Sequence, residues 1–250
     1  MEIKRSPFQG VLNILRFNRH FYVLGLLVLA MIDGSFWYFK WSNILFVMIL
    51  LGFCCGLFMP LIVSAYVYDF SGFYRFDWLK KLNLDEHSAR IHLNIHAGFD
   101  ETSFQLDELF PQASLHVFDF YNEKRHTEPA IIRARKVSLI FPNTQQIDTR
   151  LIPMADQTVN TIFLIFAAHE IRAFDEKVTF LKECRRVCAS GGKVVMVEHL
   201  RDLPNFLAFS VGFTHFFSRN TWLKAYKEAG FTSIHETKHT PFISIFNCHI

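Results

Sequence analysis

The chain has 250 residues, 51% of them hydrophobic and 16% aromatic, with 29 phenylalanines and a formal net charge of +3. This length holds one ordinary catalytic domain and a smaller appendage. The weak charge and the lack of any long basic tract exclude nucleic acid as a partner, and five cysteines with no CxxC spacing exclude a disulfide framework.

In chain order, the first feature is a moderately amphipathic segment with Phe8, Val11, Leu12 and Leu15 beside Arg16 and Arg19, suited to a membrane surface. Two apolar runs follow. Phe21–Phe39 is 19 residues with one charge, Asp33, and Ile44–Val67 is 24 residues with none. Roughly 20 apolar residues cross a bilayer, so the pair predicts a transmembrane hairpin with spans at about 21–39 and 44–67. Its turn, Lys40-Trp41-Ser42-Asn43, is flanked by Trp37 and Tyr38 like an interfacial aromatic belt. Lys4, Arg5, Arg16 and Arg19 precede the hairpin and Arg75, Lys80 and Lys81 follow it, against Lys40 in the turn. The positive-inside rule then puts both termini and everything after residue 68 on the cytoplasmic side. Asp33, beside Gly34 and Ser35 near the aromatic end, is read as interfacial or as a hairpin contact.

From residue 90 strands alternate with helices. RIHLNIH, SLHVFDF, VSLIF, TIFLIFAAH and KVVMVEH are read as successive strands. DETSFQLDELF, TEPAIIRARK and EKVTFLKECRRVCA are read as helices, the last stopped by Gly191-Gly192. TWLKAYKEAGF is a final helix, and SIHETKH and ISIFNCH close the chain as antiparallel strands. The expected fold is α/β: a Rossmann-like, doubly wound, mostly parallel sheet with a C-terminal antiparallel strand, preceded by two transmembrane helices. The division is residues 1–67 for the hairpin and 68–250 for the α/β domain.

Residues 147–160, IDTRLIPMADQTVN, set an acid, a Leu-Pro-like turn and a second acid before a buried strand that ends in His169-Glu170. This closely resembles the D-A-x-x-L-P-F-x-D-x-S-F-D segment of class I S-adenosylmethionine-dependent methyltransferases. Tyr68-Asp69, Tyr74 and Trp78-Leu79-Lys80 resemble the lead-in of the group acting on ubiquinone and menaquinone precursors. CRRVCASGGKVVMVEH and HFFSRNTWLKAYKEAGF resemble two further blocks of that group, so the likeness spans roughly residues 66–250.

The resemblance implies S-adenosylmethionine as cofactor and names its cradle. The family pattern acidic-x-G-x-G-x-G falls on Asn94 to Asp100, where Gly98 is the kept glycine, Asn94 replaces the acid and His96 the first glycine. Asp100 is expected to cap the following helix. Asp119 is expected to take the ribose hydroxyls, Phe120 to cover the adenine, and Asp148, Thr149 and Met154 to line the base. Candidate catalytic groups at the strand ends are His169, Glu170, His199 and His215, since histidine titrates in the useful range. No close-spaced ligand pair argues for a metal. Leu203–Phe217, almost wholly apolar and aromatic, falls where this fold builds its acceptor lid. With the hairpin, it predicts a hydrophobic small-molecule or lipid acceptor: a phenol, a quinone precursor or an isoprenoid. The eroded glycine motif leaves an alternative, a catalytically degenerate membrane scaffold.

Overall fold

The computed structural model describes residues 6–82, 84, 90–125, 129–136 and 139–250. Lys4, Arg5, the first two residues of the TEPAIIRARK segment and the first two of VSLIF lie outside the described residues.

Two long helices come first, α1 (Gln9–Phe39) and α2 (Asn43–Ser64), as the apolar runs predict. Ser42 starts α2 by accepting a hydrogen bond from the Leu45 amide. The helices pack closely at Gly25, where a Cβ would stand 2.7 Å from Leu57 Cδ1, and Phe36 stacks on Phe46 beyond it. α1 begins earlier than the first apolar run, at Gln9, and leaves helical geometry at Asn18. Its first turns are therefore a distinct piece, docked on the α/β part. Asp69 accepts from the amides of Gly10 and Val11, a carboxylate meeting the positive end of a helix. Gly10 is required there, because a Cβ would lie 2.4 Å from Tyr68 Cβ. α2 passes without a break into a π-helical turn at Ala65–Phe70, which spans the predicted boundary at residue 68.

The rest is a seven-stranded sheet of order β3-β2-β1-β4-β5-β7-β6. Its strands are β1 (Ile91–His96), β2 (Ser114–Asp119), β3 (Gln145–Gln146), β4 (Val159–Ile165), β5 (Cys188–Glu198), β6 (Ser233–Thr240) and β7 (Ile243–His249). β7 pairs antiparallel with both β5 and β6, and the other pairings are parallel, which is the expected mostly parallel sheet with a C-terminal antiparallel strand. Alternate residues of the central strands point to opposite faces. Ile162, Leu164, Val194 and Met196 enter one core with helices α5 (Phe174–Val187) and α7 (Arg219–Glu228). Phe163, Ile165, Val195 and Val197 enter a second, whose other wall is Val63 to Leu82, including Phe73, Trp78 and Leu79. The chain leaving α2 thus supplies a layer of the fold. The remaining helices are α3 (Ser103–Leu109), α4 (Pro129–Arg135) and α6 (Leu203–Phe209).

Two predictions fail. Of VSLIF, residues 139–141 are not a strand, and Ile140 is 81% exposed. The sheet edge is instead Gln145–Gln146, registered on Phe118 and Asp119. The reason is local: Pro142 has no amide hydrogen, Asn143 turns with φ +60°, and the chain reaches the ladder only after that turn. Gly191-Gly192 does not cap a helix either. α5 ends at Val187 and runs directly into β5. The glycines lie where the β4–β5 register shifts, and a Cβ on Gly192 would meet the Val159 carbonyl at 3.0 Å. They serve a bulge.

Candidate active site

The first strand and its turn make the cradle. Asn94 is fully buried in β1 and its amide donates to Thr102 Oγ1 (3.0 Å) and Ser103 Oγ (2.8 Å). It therefore braces the turn from within rather than facing a ligand. Asp100 accepts from the amides of Thr102 and Ser103, but the N-cap of α3 is Thr102, two residues later than expected, so Asp100 braces the turn that leads into the helix. Gly98 has φ +84°, a left-handed conformation that glycine adopts without strain. The Gly98 amide donates to His96 Nδ1 (2.9 Å). The other ring nitrogen of His96 is buried with no hydrogen-bond partner.

Asp119 ends β2 at the carboxyl edge. Its carboxylate accepts from the Tyr121 amide (2.8 Å) and pairs with Arg135 of α4 at 2.8 Å. The guanidinium also lies over the Tyr121 ring, 4.0 Å from its centroid, and occupies the space a Cβ on Gly98 would enter. Arg135 thus bridges the two residues the sequence assigned to one ligand, and no motif marked it. Phe120 is a correction: it is 1% exposed and packs on Phe180 in the core, so no surface remains for an adenine. Strand alternation turns it inward from Asp119. Asp148 follows β3, whose Gln146 is registered on Asp119. It is chelated by Arg150 (2.8 and 2.9 Å), which holds its carboxyl down at about 2. Thr149 donates to Glu176 (2.6 Å), and Met154 packs at the edge of the core.

The acceptor-side candidates form two sets at the ends of β4 and β5. In the first, His199 Nδ1 lies 2.9 Å from the Phe242 carbonyl, so it carries the proton. Its Nε2 then accepts from the Tyr68 hydroxyl at 2.7 Å. The ring is sandwiched between Phe166 and Phe216. Burial lowers its pKa to about 4, helped by the charge of His169 and opposed by the Phe242 carbonyl. A neutral ring whose lone pair is already used is not a free base; it orients Tyr68. Sequence inspection noticed Tyr68 only as part of a lead-in block.

The second set joins His169, Glu170, Glu198 and His215. His169 Nδ1 lies 2.7 Å from Glu198, which is fully buried and also accepts from the His169 amide. Burial opposes charge on this ring, but Glu198 and Glu170 outweigh it and raise the pKa to about 10. An imidazolium holds its proton at neutral pH and takes none from a substrate. This corrects the expectation of His169 as general base. Glu170, also buried, is held as the carboxylate by His169 and His215 against the cost of burial.

A cavity of about 160 Å³ opens at this edge. Tyr68, Tyr74, Phe99, Glu101 and Phe166 line it from the α/β part, and Gly10, Asn13, Ile14 and Phe17 line it from the first turns of α1. Glu101 ties the two together by accepting from Gln9, Asn13 and Tyr74. Beside it, Leu203–Phe217 folds as α6 and a 3₁₀ stretch. Buried Lys177 lies over Phe217 (3.4 Å), and its ammonium donates to the Ile171 and Arg172 carbonyls.

The buried histidines make stability depend on pH. His92 packs against Phe110 and Phe163, and burial, then the nearby Arg90, lowers its pKa to about 4, as burial lowers that of His199. Between the unfolded value of 6.5 and about 4 the unfolded chain binds protons that the folded chain refuses. Stability is expected to fall as pH drops through that window, by on the order of 3 kcal/mol per ring. Urea unfolding at pH 7 and pH 4.5 measures it, and equal midpoints would contradict it.

Residues 96–196 match the family model described as a methyltransferase domain. The fold is shared with a SAM-dependent methyltransferase from Aquifex aeolicus (19% identity, 76% of this chain and 97% of that one, TM-score 0.50). It is shared with human N-acetylserotonin methyltransferase in complex with SAM (14% identity, 98% and 71%, TM-score 0.55). It is shared with PigF with SAH (14% identity, 97% and 75%, TM-score 0.55). A pyridoxal kinase, PdxY of Vibrio parahaemolyticus, is 37% identical over 81 residues, 31% of this chain. The chain spans about a quarter of that protein's length, 27%. Residues 96–196, about two-fifths of the chain, thus match a methyltransferase domain model, and they lie in a Rossmann-like, mostly parallel sheet whose fold these methyltransferases share.

Proposed function

We propose that the chain is a membrane-anchored methyltransferase that uses S-adenosylmethionine and acts on a hydrophobic small molecule or lipid of the phenol, quinone-precursor or isoprenoid class. The observation that carries this reading is the composition of the cavity wall. The first turns of α1 close the site, and the same helix continues into an apolar shaft. None of the apolar window of α1 and 6% of that of α2 is buried, at mean hydropathy 1.6 and 2.6. A soluble protein does not leave such surface in water, so a bilayer is its natural cover. The cavity then lies at the root of the hairpin, and an acceptor dissolved in lipid enters from the side. Residues 1–67 act as the anchor and residues 68–250 as the cytoplasmic methyltransferase, with both termini on that side.

The cofactor supplies an electrophilic methyl group on sulfonium sulfur. The chain's residues fit it in part. Asp119 offers a carboxylate for two ribose hydroxyls, and Gly98 leaves room for close backbone approach, once Arg135 withdraws. Asp148, Thr149 and Met154 stand on the base side, and Asn94 and His96 shape the turn from behind. On the acceptor side, Tyr68 donates a hydrogen bond to His199 and stands in the cavity wall. Aromatic walls exclude water and align the reacting atoms. Transfer of labelled methyl to detergent-dispersed hydrophobic phenols is expected to exceed transfer to water-soluble analogues by at least about tenfold, one decade being ~1.4 kcal/mol. Preference for the water-soluble series would overturn the acceptor class. Calorimetry without detectable binding of S-adenosylmethionine would favour a degenerate scaffold.

A further inference from the structure

His169, Glu170 and His215 carry more order than an acceptor pocket requires. Their donor atoms lie within 4.8 Å of one another. His169 Nε2 stands 3.5 Å and His215 Nε2 3.7 Å from the same oxygen, Oε1 of Glu170. These separations exceed the usual N–H···O range of about 2.7–3.2 Å. Donors at about 2.0–2.2 Å from a tetrahedral ion stand roughly 3.3–3.6 Å apart, and the two edges to Glu170 are close to that. The second Glu170 oxygen, Oε2, is buried with no hydrogen-bond partner on a residue 4% exposed. An unpaired buried carboxylate oxygen is costly, and a cation held by this carboxylate lowers that cost.

The surroundings fit a ligand shell. Glu198 holds His169 by its Nδ1, at 2.7 Å, which leaves Nε2 to face the cluster, where a bound ion displaces the proton that this nitrogen otherwise carries. This is the carboxylate–histidine arrangement that orients metal-ligating imidazoles. Arg172 Nη1 donates to the backbone carbonyls of His169 (3.2 Å) and His215 (2.7 Å). One guanidinium thereby fixes the spacing of two donors that are 46 residues apart in the chain. Glu170 and Glu198 together supply the two negative charges that a divalent ion needs.

We propose that His169, Glu170 and His215 bind a divalent first-row transition ion, with Glu198 and Arg172 as positioning residues. Two imidazoles and one carboxylate select such an ion over Mg²⁺ or Ca²⁺, which take oxygen ligands. Three protein ligands leave a coordination position open, as catalytic sites do. Resting on the methyltransferase reading, that position takes an oxygen of the acceptor and polarises it.

The test uses the full chain in detergent, carrying an affinity tag without histidine, stripped with chelator and titrated with Co²⁺. One equivalent is expected to bring in a visible d–d band that Zn²⁺ displaces and Mg²⁺ does not. His215→Ala and Glu170→Gln are expected to weaken Co²⁺ binding at least tenfold, and Glu198→Gln by about 10–100-fold. Absence of the band, its persistence at wild-type affinity in both ligand variants, or a thiolate charge-transfer band would overturn the site. X-ray absorption fine structure of the wild-type Zn²⁺ complex needs no variant: two imidazoles support the proposal, and none, or sulfur ligands, overturn it. Ion binding without methyl transfer keeps the site and rejects the methyltransferase reading. Methyl transfer by protein that binds no ion does the reverse.

Discussion

Asp119→Ala is expected to weaken binding of S-adenosylmethionine at least tenfold, and Arg135→Ala to tighten it by about fivefold. Asp119 stands at the end of β2 with its carboxylate on the crevice side, 7% exposed. Charge-assisted hydrogen bonds to ribose hydroxyls are worth about 1.5–3 kcal/mol, and each 1.4 kcal/mol is about a decade in affinity. In the structure Arg135 holds that carboxylate and fills the space against Gly98. A partly exposed ion pair of this kind costs about 1 kcal/mol to open, the equivalent of roughly fivefold in affinity. Removing the arginine returns that cost. Isothermal titration of the two variants gives opposite signs on this account. Weakening by both would place Arg135 among the cofactor's own contacts, and no change in either would move the cofactor elsewhere. Either variant's fold is checked by its thermal midpoint.

The paired substitution Leu203→Asp and Leu207→Asp is expected to raise the KM for a liposome-dissolved acceptor by about a hundredfold. In α6 these two leucines are 67% and 65% exposed and Phe206 is 45% exposed. The helix lies against α2, so its apolar face continues that of the hairpin. Burying a leucine is worth about 1.5–3 kcal/mol. Losing two partial burials amounts to roughly 3 kcal/mol, or about two decades. Titration with S-adenosylmethionine should be little affected, because neither leucine lines the cofactor side. An unchanged KM in liposomes would show that α6 stays in water, and the sideways route for the acceptor would fail with it.

Much of the site's address was legible in the chain. The glycine of the first turn, the acid ending β2 and the acid after the third edge strand all stand at the carboxyl edge where the resemblance puts them. The N-cap expected at Asp100 falls instead on Thr102, with Asp100 holding the two amides at the helix start. The misreadings share a cause. VSLIF reads as a strand by residue type, but Pro142 and the turn at Asn143 move the edge to two glutamines. Phe120 looked available because it follows Asp119, yet strand alternation sends its ring into the core.

Local chemistry and periodicity therefore determined the elements of this protein by themselves. They include two apolar helices, alternating strands and helices, the turn at Gly98 and the acids at strand ends. These depend on neighbours within about one helical turn or one strand period. Only the tertiary structure decided which groups meet. Arg135 reaches Asp119 and Gly98 from α4, Tyr68 reaches His199 from the root of the hairpin, and Glu170 stands between His169 and His215. Apart from the neighbours His169 and Glu170, such encounters join residues from 16 to 131 positions apart, and they arise from how the sheet orders its strands and what covers its edge. They also set the charge states of the ion-free protein: facing carboxylates hold His169 protonated against the cost of burial, whereas burial without one leaves His199 neutral.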